Sequence, residues 1–243
     1  MDIKETVYFH GEEVMNMGFV VAIDGPAGSG KGTITKLIAE KRNLVSIDTG
    51  AMYRCVTLDC LNKGIEPNNI EGIKNVLKNI NIELTKVNGE QKVLLNGKDV
   101  SREIREPRVN EAVSPFSAIK EVRDIITPMQ RKMAEKQDII MEGRDIGTVV
   151  FPNADVKIFL DVSLEESARR RYKQNIENGI ETTYENELEK LKQRNKYDSE
   201  RDVVPFVKAE DAILVDSTNM SIDEVVETIL KIIDEKKEKT WKL

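Results

Sequence analysis

Histidine is almost missing from this sequence of 243 residues. The single histidine, His10, lies in a polar stretch ahead of the first predicted strand, which disfavours any mechanism that needs a catalytic histidine. Only two cysteines occur, Cys55 and Cys60. Their separation of five residues within a predicted helix places them on different faces, which argues against a disulfide or a metal pair. We therefore expect reduced thiols in a cytoplasmic protein.

Long hydrophobic runs are also absent. No apolar segment reaches the length of a membrane-spanning helix, and no basic-then-apolar segment opens the chain. The formal net charge is −6, whereas a general nucleic-acid binder needs a basic surface. We therefore expect neither a membrane nor a nucleic acid as a partner. Apolar residues make up 40% of the chain and charged residues 33%, which is typical of a folded soluble protein.

Five short apolar runs are present and predict the strands of a parallel sheet. Apolar residues occupy both faces of each run, as expected when helices cover both sides of the sheet. Predicted helices alternate with these runs, which indicates a doubly wound α/β fold. The runs are FVVAID at 19–24, LVSID at 44–48, DIIME at 138–142, VKIFLD at 156–161 and AILVD at 212–216.

Two segments fall outside this alternation. Residues 1–17 have little periodicity, and we expect them to be a disordered N-terminal extension before a single domain at 18–243. In residues 81–100, two β-like runs flank Asn88-Gly89, which is a strong hairpin signal. This segment predicts a small antiparallel insertion, at about 81–109, standing off a core formed by 18–80 and 110–243.

The stretch AIDGPAGSGKGTITKLIAE at 22–40 contains a phosphate-binding loop with one residue out of place. Gly25, Gly30 and Lys31 fit the pattern G-x-x-x-x-G-K between a predicted strand and a predicted helix. Backbone N–H groups of such a loop converge on phosphate, and the lysine reaches the β- and γ-phosphates. The usual magnesium-binding hydroxyl is replaced by Gly32 and follows one residue later, at Thr33. The pattern predicts an ATP site of the small-molecule nucleotide kinase type, with magnesium held differently.

A second match to a nucleotide-binding motif, the guanine-binding pattern of GTPases, is a chance match, because its sequence context is wrong. Asn195-Lys196-Tyr197-Asp198 matches the N-K-x-D pattern by which GTPases bind guanine. In GTPases the pattern follows an apolar strand, whereas here it follows the charged helical segment NELEKLKQR. We therefore expect the motif to lie on a helix and to serve another purpose.

Polar side chains also follow the second and third predicted strands. DTGAMYR at 48–54 brings Tyr53 and Arg54 to the carboxyl edge of the sheet, where ligands bind in open α/β folds. An ordinary helix capped by Thr49, with Tyr53 in the core, would produce the same pattern. Arg144 and Asp145 follow the third strand. Charges at such a junction are costly unless something satisfies them, and a phosphate would do so.

Taken together, these motifs resemble those of the bacterial-type cytidylate kinases. The matching pieces run in order from residue 23 to about 205, and the segment with NGKDV is the most specific. They are IDGPAGSGKGT, DTGAMYR, LLNGKDVSREIR followed by Ser114, EGRDIGTVVFP, and RNKYDSERD before Pro205. The resemblance implies a P-loop kinase fold with a five-stranded parallel sheet, a β-containing acceptor-binding insertion and a helical lid at about 172–200.

The resemblance also implies site residues, position by position. The catalytic groups would be Lys31, Arg144, Arg194 and Arg201. ATP would contact Gly25, Pro26, Ala27, Gly28, Ser29, Gly30, Lys31, Gly32 and Thr33, with Arg169 and Arg171 from the run Arg169–Arg170–Arg171 at the lid. Cytosine would contact Ser114, Arg123 and Asp145, and the sugar would contact Asp198. The acceptor phosphate would contact Arg54, Arg144, Arg194 and Arg201, with Tyr53 alongside. Thr49 would be a further acceptor-binding residue. Ala27 departs from the serine that some members have near the sugar. By itself, the arginine run could equally be a solvated helix face.

The hypothesis is a monomeric cytoplasmic enzyme that moves the γ-phosphoryl group of ATP, with Mg²⁺, to CMP or dCMP. No protein ligand of the metal is predicted. A kinase for UMP, AMP or another small acceptor is the nearest alternative. A nucleotide-dependent switch protein would need elements that respond to the γ-phosphate, and the sequence has none that we recognise. An inactive nucleotide-binding relative is a further alternative, and the presence of Lys31 and the arginines argues against it.

Overall fold

The computed structural model describes residues 18–87, 90–135 and 137–240. The expected N-terminal extension at 1–17 and the Asn88-Gly89 turn lie outside the described residues. Among the described residues, no helix is long and apolar enough to cross a membrane.

The five predicted strands form one parallel sheet. They are β1 (Val20–Asp24), β2 (Val45–Asp48), β6 (Ile139–Gly143), β7 (Val156–Asp161) and β8 (Ile213–Asp216), in the spatial order β2-β6-β1-β7-β8. Every neighbouring pair is parallel, with Val21 beside Ile140 on one side and Val156 on the other. The predicted fold class is therefore confirmed.

Helices cover both faces of this sheet. On one face, Val21 and Ile23 pack with α1 (Lys31–Arg42) and α8 (Ile222–Thr240). On the other face, Val20 and Ala22 join a cluster that contains a short π-helix at Ile146–Val150. Because alternate residues of β1 are buried on opposite faces, the strand has no polar side, which explains its continuous apolar sequence.

A second core lies beside the main sheet. A three-stranded antiparallel sheet contains β3 (Ile82–Val87), β4 (Glu90–Leu95) and β5 (Lys98–Asp99), of which β5 was not predicted. A 3₁₀ helix at Glu103–Arg105 follows β5. The buried cluster of this region joins the sheet to four helices. They are α2 (Thr49–Asn62), α3 (Ile70–Leu77), α4 (Pro107–Ser117) and α5 (Lys120–Lys132). We therefore propose that the predicted insertion belongs to a larger unit than residues 81–109 alone, formed by β3–β5 and α2–α5.

Two further helices lie over the glycine loop. They are α6 (Leu164–Glu177) and α7 (Tyr184–Glu200), and they pack on each other. Ser163 caps α6 by accepting a hydrogen bond from the backbone of Glu166. The motif Asn195–Asp198 lies within α7, as its charged surroundings predicted. These two helices contain the segment expected to form the lid.

Candidate active site

The glycine loop ends in an open helix N-terminus. Gly30 is the N-cap of α1 with φ 88°, a left-handed conformation that favours glycine, and no side chain caps the helix. The first turn of α1 also contains no acidic residue. The amide groups of this turn are therefore available to an anion, and the helix dipole favours a negative charge there.

Lys31 points back into the loop. Its Nζ donates to the carbonyl oxygens of Gly25 at 2.8 Å and Pro26 at 2.7 Å and to Ser29 Oγ at 3.2 Å. Burial, together with the positive charge of Arg144, lowers the pKa of Lys31 to about 7. A bound polyphosphate would reverse this, since an adjacent negative charge favours the protonated amine.

Gly32 leaves room for a carboxylate. A Cβ atom at this position would lie 3.1 Å from Glu142 Oε1, so a larger residue would press against that side chain. Thr33, whose hydroxyl follows one residue late, is exposed on α1. The unusual G-K-G-T order is therefore explained by Glu142, at the end of β6, which approaches the loop where the hydroxyl of other phosphate loops stands.

Glu142 is in an unfavourable place for a charge. Burial, together with the neighbouring carboxylate of Asp48, raises its pKa from 4.5 to about 7. Lys31, Arg54 and Arg105 oppose the shift. The carboxylate accepts no hydrogen bond from the described residues that surround it. It is thus a carboxylate held beside the phosphate loop at a cost in stability.

Glu142→Gln is expected to stabilise the metal-free protein. Above pH 7 the folded wild type holds an ionised, desolvated carboxylate, which costs roughly 1–3 kcal/mol relative to the unfolded chain. Because the folded-state pKa is raised, this cost disappears as the pH falls from 7 towards 4.5. Thermal unfolding in EDTA should therefore show a Tm several degrees higher at pH 8, with the difference shrinking towards pH 4.5. Glu40→Gln, at an exposed position of α1, is the control. Equal shifts in Tm for both variants would contradict the conclusion that the Glu142 carboxylate destabilises the folded protein.

Arg144 links the glycine loop to α7. Its Nη1 donates to the carbonyl of Gly25 at 2.8 Å, and its Nε donates to Asp198 Oδ2 at 3.2 Å. The guanidinium also lies over the ring of Phe206, 5.5 Å from the centroid. Arg194 Nε is 4.0 Å from the same Asp198 oxygen. Burial, together with the charge of Arg144, lowers the pKa of Arg194 to about 9. One carboxylate thus faces two guanidinium groups, an excess of positive charge beside the phosphate loop.

A buried ion pair lies on the acceptor side. Arg123 of α5 donates to Asp145 and, at 3.0 Å, to the carbonyl of Ser117. The guanidinium lies over the ring of Tyr53 at 5.4 Å, and Arg201 reaches Ser117 Oγ at 3.3 Å. Burial raises the pKa of Asp145, and the charges of Arg123 and the other arginines oppose this shift.

The buried ion pair joins three elements. Asp145 follows β6, Arg123 is on α5, and Tyr53 is on α2. Burial raises the pKa of Tyr53 to about 12, and its hydroxyl has no hydrogen-bond partner of good geometry among the described residues. Ser114 is buried one turn before Ser117 on α4.

The end of β2 carries a further cluster. Asp48, not Thr49, is the N-cap of α2 and accepts from the backbone of Ala51 at 3.0 Å. Its other oxygen accepts from Arg54 at 2.9 Å and from Arg105 at 3.2 Å. Burial raises the pKa of Asp48, but the two arginines outweigh this and the net shift is downward. The Thr49 hydroxyl donates to the carbonyl of Glu142 at 2.6 Å.

The three arginines of the lid run face different ways. Arg169 is exposed and pairs with Glu166. Arg170 also contacts Glu166 and donates to the carbonyl of Ser217 at 2.8 Å, and its Nη1 would lie 3.9 Å from a Cβ atom on Gly30. Burial lowers the pKa of Arg171, whose charge is felt by the arginines of the cleft. The arginine nearest the loop is thus the middle one.

Ala27 packs against the lid. Its side chain is buried with Ala168 of α6 and Leu191 of α7, and its backbone N–H points to Asn195 Oδ1 at 3.4 Å. An alanine at this position is therefore accounted for by an apolar contact between the glycine loop and the two lid helices.

Ten of the predicted site residues form one cluster of mutually interacting side chains. Their electrostatic effects on one another connect the phosphate loop, α6, α7 and the second core. They are Lys31, Tyr53, Arg54, Arg123, Arg144, Asp145, Arg171, Arg194, Asp198 and Arg201. Arg169 and Thr33 are exposed. Glu142 and Arg105 were missed, although both stand inside the quoted motifs EGRD and SREIR.

Comparison with known proteins identifies the family. The family model described as cytidylate kinase matches residues 21–235. A cytidylate kinase of Fusobacterium nucleatum is 50% identical over 218 residues, covering 90% of this chain and 98% of that protein. A cytidylate kinase of Bacillus licheniformis is 45% identical over 226 residues, covering 93% of this chain and all of that protein.

A solved structure shares the fold at low identity. A gluconokinase from Sinorhizobium meliloti superposes with a TM-score of 0.50 and 13% identity, covering 93% of this chain and 97% of that one. At such identity the likeness shows the fold alone. The family follows from the sequence match, which extends over nearly the whole chain. The chain belongs to the cytidylate kinase family.

Proposed function

We propose that the protein transfers the γ-phosphoryl group of ATP to CMP or dCMP, giving ADP and CDP or dCDP. The observation that carries this proposal is the position of Arg144, which joins the phosphate loop at Gly25 to Asp198 of α7, the residue proposed to bind the acceptor's sugar. Two polyanions must approach each other in such a reaction. Guanidinium groups between them offset the repulsion and bind phosphate bidentately.

The Arg123–Asp145 pair supports a cytosine-bearing acceptor. The exocyclic amine of cytosine donates a hydrogen bond, and an ionised Asp145 accepts one. Uracil presents a carbonyl at the same place, so two acceptors would face each other. Arg123 favours the ionised form of Asp145 against its burial. The proposed roles are therefore base recognition by Asp145 and orientation of its carboxylate by Arg123.

The reaction needs no general base. The attacking group is an oxygen of the acceptor phosphate, which is already anionic. It forms a bond to the γ-phosphorus as the bond to the β-γ bridging oxygen breaks and ADP leaves. Lys31, Arg144 and Arg194 would stabilise the charge on the transferring group, and α6 and α7 would exclude water. The near absence of histidine agrees with this mechanism.

The residues beside the loop fit a magnesium ion bound with ATP. Mg²⁺ prefers oxygen ligands and keeps several water molecules. Glu142 supplies a carboxylate next to Gly32 that accepts no hydrogen bond from the described residues around it, and it would hold the ion directly or through water. When bound, the ion neutralises charge on the phosphates. We further propose that the active species is a cytoplasmic monomer, whose mass light scattering can check.

An acceptor panel tests the proposed function. ADP release is measured in a coupled assay with CMP, dCMP, UMP, AMP and no acceptor. We expect turnover with CMP and dCMP, weak turnover with UMP and AMP, and almost none without a monophosphate. A preference for UMP or AMP would establish the alternative kinase. Equal ADP release with and without any acceptor would favour the switch protein.

A further inference from the structure

Phe206 is an aromatic residue to which the proposed reaction gives no role. Its half-buried ring stacks on Phe159 of β7, with the ring centroids 5.5 Å apart and an angle of 17° between the ring planes. The guanidinium of Arg144 lies over the same ring, 5.5 Å from its centroid. Phe159 is in register with Asp24, the last residue of β1 before the phosphate loop. Phe206 therefore connects the sheet, where the loop begins, to the arginine that contacts the loop.

An unfavourable backbone conformation brings Phe206 to this position. Val204 has φ 50°, in the left-handed region that β-branched residues avoid. Arg201 Nε donates to the carbonyl of Val204 at 2.6 Å. Two residues later, the Phe206 N–H donates to the carbonyl of Asp198 in α7 at 2.8 Å. The turn that places the ring beside Arg144 is therefore strained and held by its neighbours, as strained residues at functional sites are.

Three contacts fix the orientation of the Arg144 guanidinium. Nε donates to Asp198 at 3.2 Å and Nη1 donates to the carbonyl of Gly25 at 2.8 Å, so two of its three nitrogens are engaged. The ring of Phe206 adds a cation–π contact. No described residue accepts a hydrogen bond from the third nitrogen, Nη2. This nitrogen is the donor left for a phosphate oxygen, and its direction depends on all three contacts.

We propose that Phe206 is a positioning residue, which orients Arg144 towards the transferring phosphoryl group. The inference rests on the proposed function and gives Phe206 no contact with the reacting atoms. Asp198 is shared with Arg194, which lies 4.0 Å from the same oxygen, so this carboxylate holds Arg144 less firmly than an exclusive partner would. The negative face of the aromatic ring attracts the cation, whereas an aliphatic side chain does not. The ring thereby preorganises Arg144 before the phosphates bind.

A double-mutant cycle tests this role. Phe206→Leu keeps an apolar side chain and removes the aromatic face. We expect kcat with ATP and CMP to fall about 3- to 30-fold, as for one lost cation–π contact, with KM for both substrates within about twofold of the wild-type value. In the Arg144→Ala background the same change should lower kcat by less than about twofold, because the group that the ring orients is gone. Phe206→Tyr should recover most of the wild-type rate, since it restores the ring.

The same variants distinguish positioning from packing. Val207→Ala, which truncates a neighbouring side chain that is 51% exposed, is the control and should keep the wild-type kcat and Tm. Equal losses of kcat from Phe206→Leu in the wild-type and Arg144→Ala backgrounds would overturn the inference, because the ring would then act independently of Arg144. A lowered Tm with equal losses of kcat in Phe206→Leu and Phe206→Tyr would also overturn it.

Nuclear magnetic resonance tests the orientation of Arg144 without turnover. The Nε–Hε signal of Arg144 is assigned by its absence from the spectrum of Arg144→Ala. In Phe206→Leu we expect the Hε signal to move to lower field as the shielding by the ring is lost, and in Val207→Ala we expect it to stay in place. An unchanged signal in Phe206→Leu would overturn the inference. If the wild-type protein gave no CMP-dependent ADP release, the proposed function would fail, and this signal would still show whether Phe206 orients Arg144.

Discussion

Arg144→Ala is expected to lower kcat/KM for CMP phosphorylation by about 10²–10³-fold, the loss typical of one preorganised donor to a developing charge. The wild-type guanidinium contacts the carbonyl of Gly25 and the carboxylate of Asp198, so it stands between the two proposed nucleotide sites. The side chain is 18% exposed, which leaves it accessible to a ligand. We expect the loss chiefly in kcat, because both phosphates would still meet Lys31 and Arg194.

The fold should survive this change. Truncation removes one partner of Asp198, but Arg194 remains 4.0 Å from the same carboxylate. The circular dichroism spectrum and the thermal unfolding of this variant should therefore resemble those of the wild type. Arg108→Ala, which removes an arginine paired with Glu106, is the control for the loss of one positive charge. Near-normal turnover by Arg144→Ala would show that the guanidinium does not meet the reacting phosphates.

Asp145→Asn is expected to change which base is accepted. The carboxylate is nearly buried and paired with Arg123, so the isosteric amide keeps the shape while losing the charge. Loss of a charged hydrogen bond to the cytosine amine should raise KM for CMP about 10- to 100-fold. An asparagine amide can also donate to the uracil carbonyl, so UMP should lose much less than CMP. Ratios of kcat/KM for the two acceptors measure this.

The result is meaningful only if ATP binding is unaffected. Asp145 lies on the acceptor side, so KM for ATP should stay within a few fold of the wild-type value. Ser117→Ala is a control variant, because it removes only the hydroxyl that accepts a hydrogen bond from Arg201 at 3.3 Å and keeps the Asp145 carboxylate. An equal loss for CMP and UMP in Asp145→Asn would remove Asp145 from base recognition and leave it as a partner of Arg123 alone.

The main sheet could be predicted because its signals are local. Each strand is an apolar run buried on both faces, and VKIFLD at 156–161 matches β7 at both ends. Three of the other runs were predicted to begin one residue early and to end where the strand ends. Phe19, for example, packs against the core without joining the ladder of β1. Hydrophobicity marks burial, whereas a strand boundary is set by hydrogen bonding.

The second core could not be bounded from sequence. The hairpin signal marked β3 and β4 correctly, but α2 and α5 join the same cluster from segments far away in the chain. Their apolar residues have the same helical spacing as those that face the main sheet. Nothing in that spacing says which of two cores a helix will cover.

Glu142 and Arg105 illustrate the same limit within the site. The phosphate loop is one contiguous motif, so Gly30 and Lys31 could be assigned directly. By contrast, Glu142 meets Gly32 across more than a hundred residues, and Arg105 meets Asp48 across 57. Similarly, three consecutive arginines on α6 look alike in sequence, and only the helix orientation turns Arg170 towards the loop. Contacts between residues so far apart in the chain are set by tertiary packing, which a local sequence motif does not specify.

The most direct test of the account is a crystal structure of the protein with CMP. We predict the cytosine amine within hydrogen-bond distance of Asp145 and the phosphate in contact with Arg54, Arg144 and Arg194, facing the glycine loop. If CMP instead bound outside this cleft, or bound with its base turned from Asp145 and its phosphate away from the guanidinium groups, the proposed acceptor site would be contradicted.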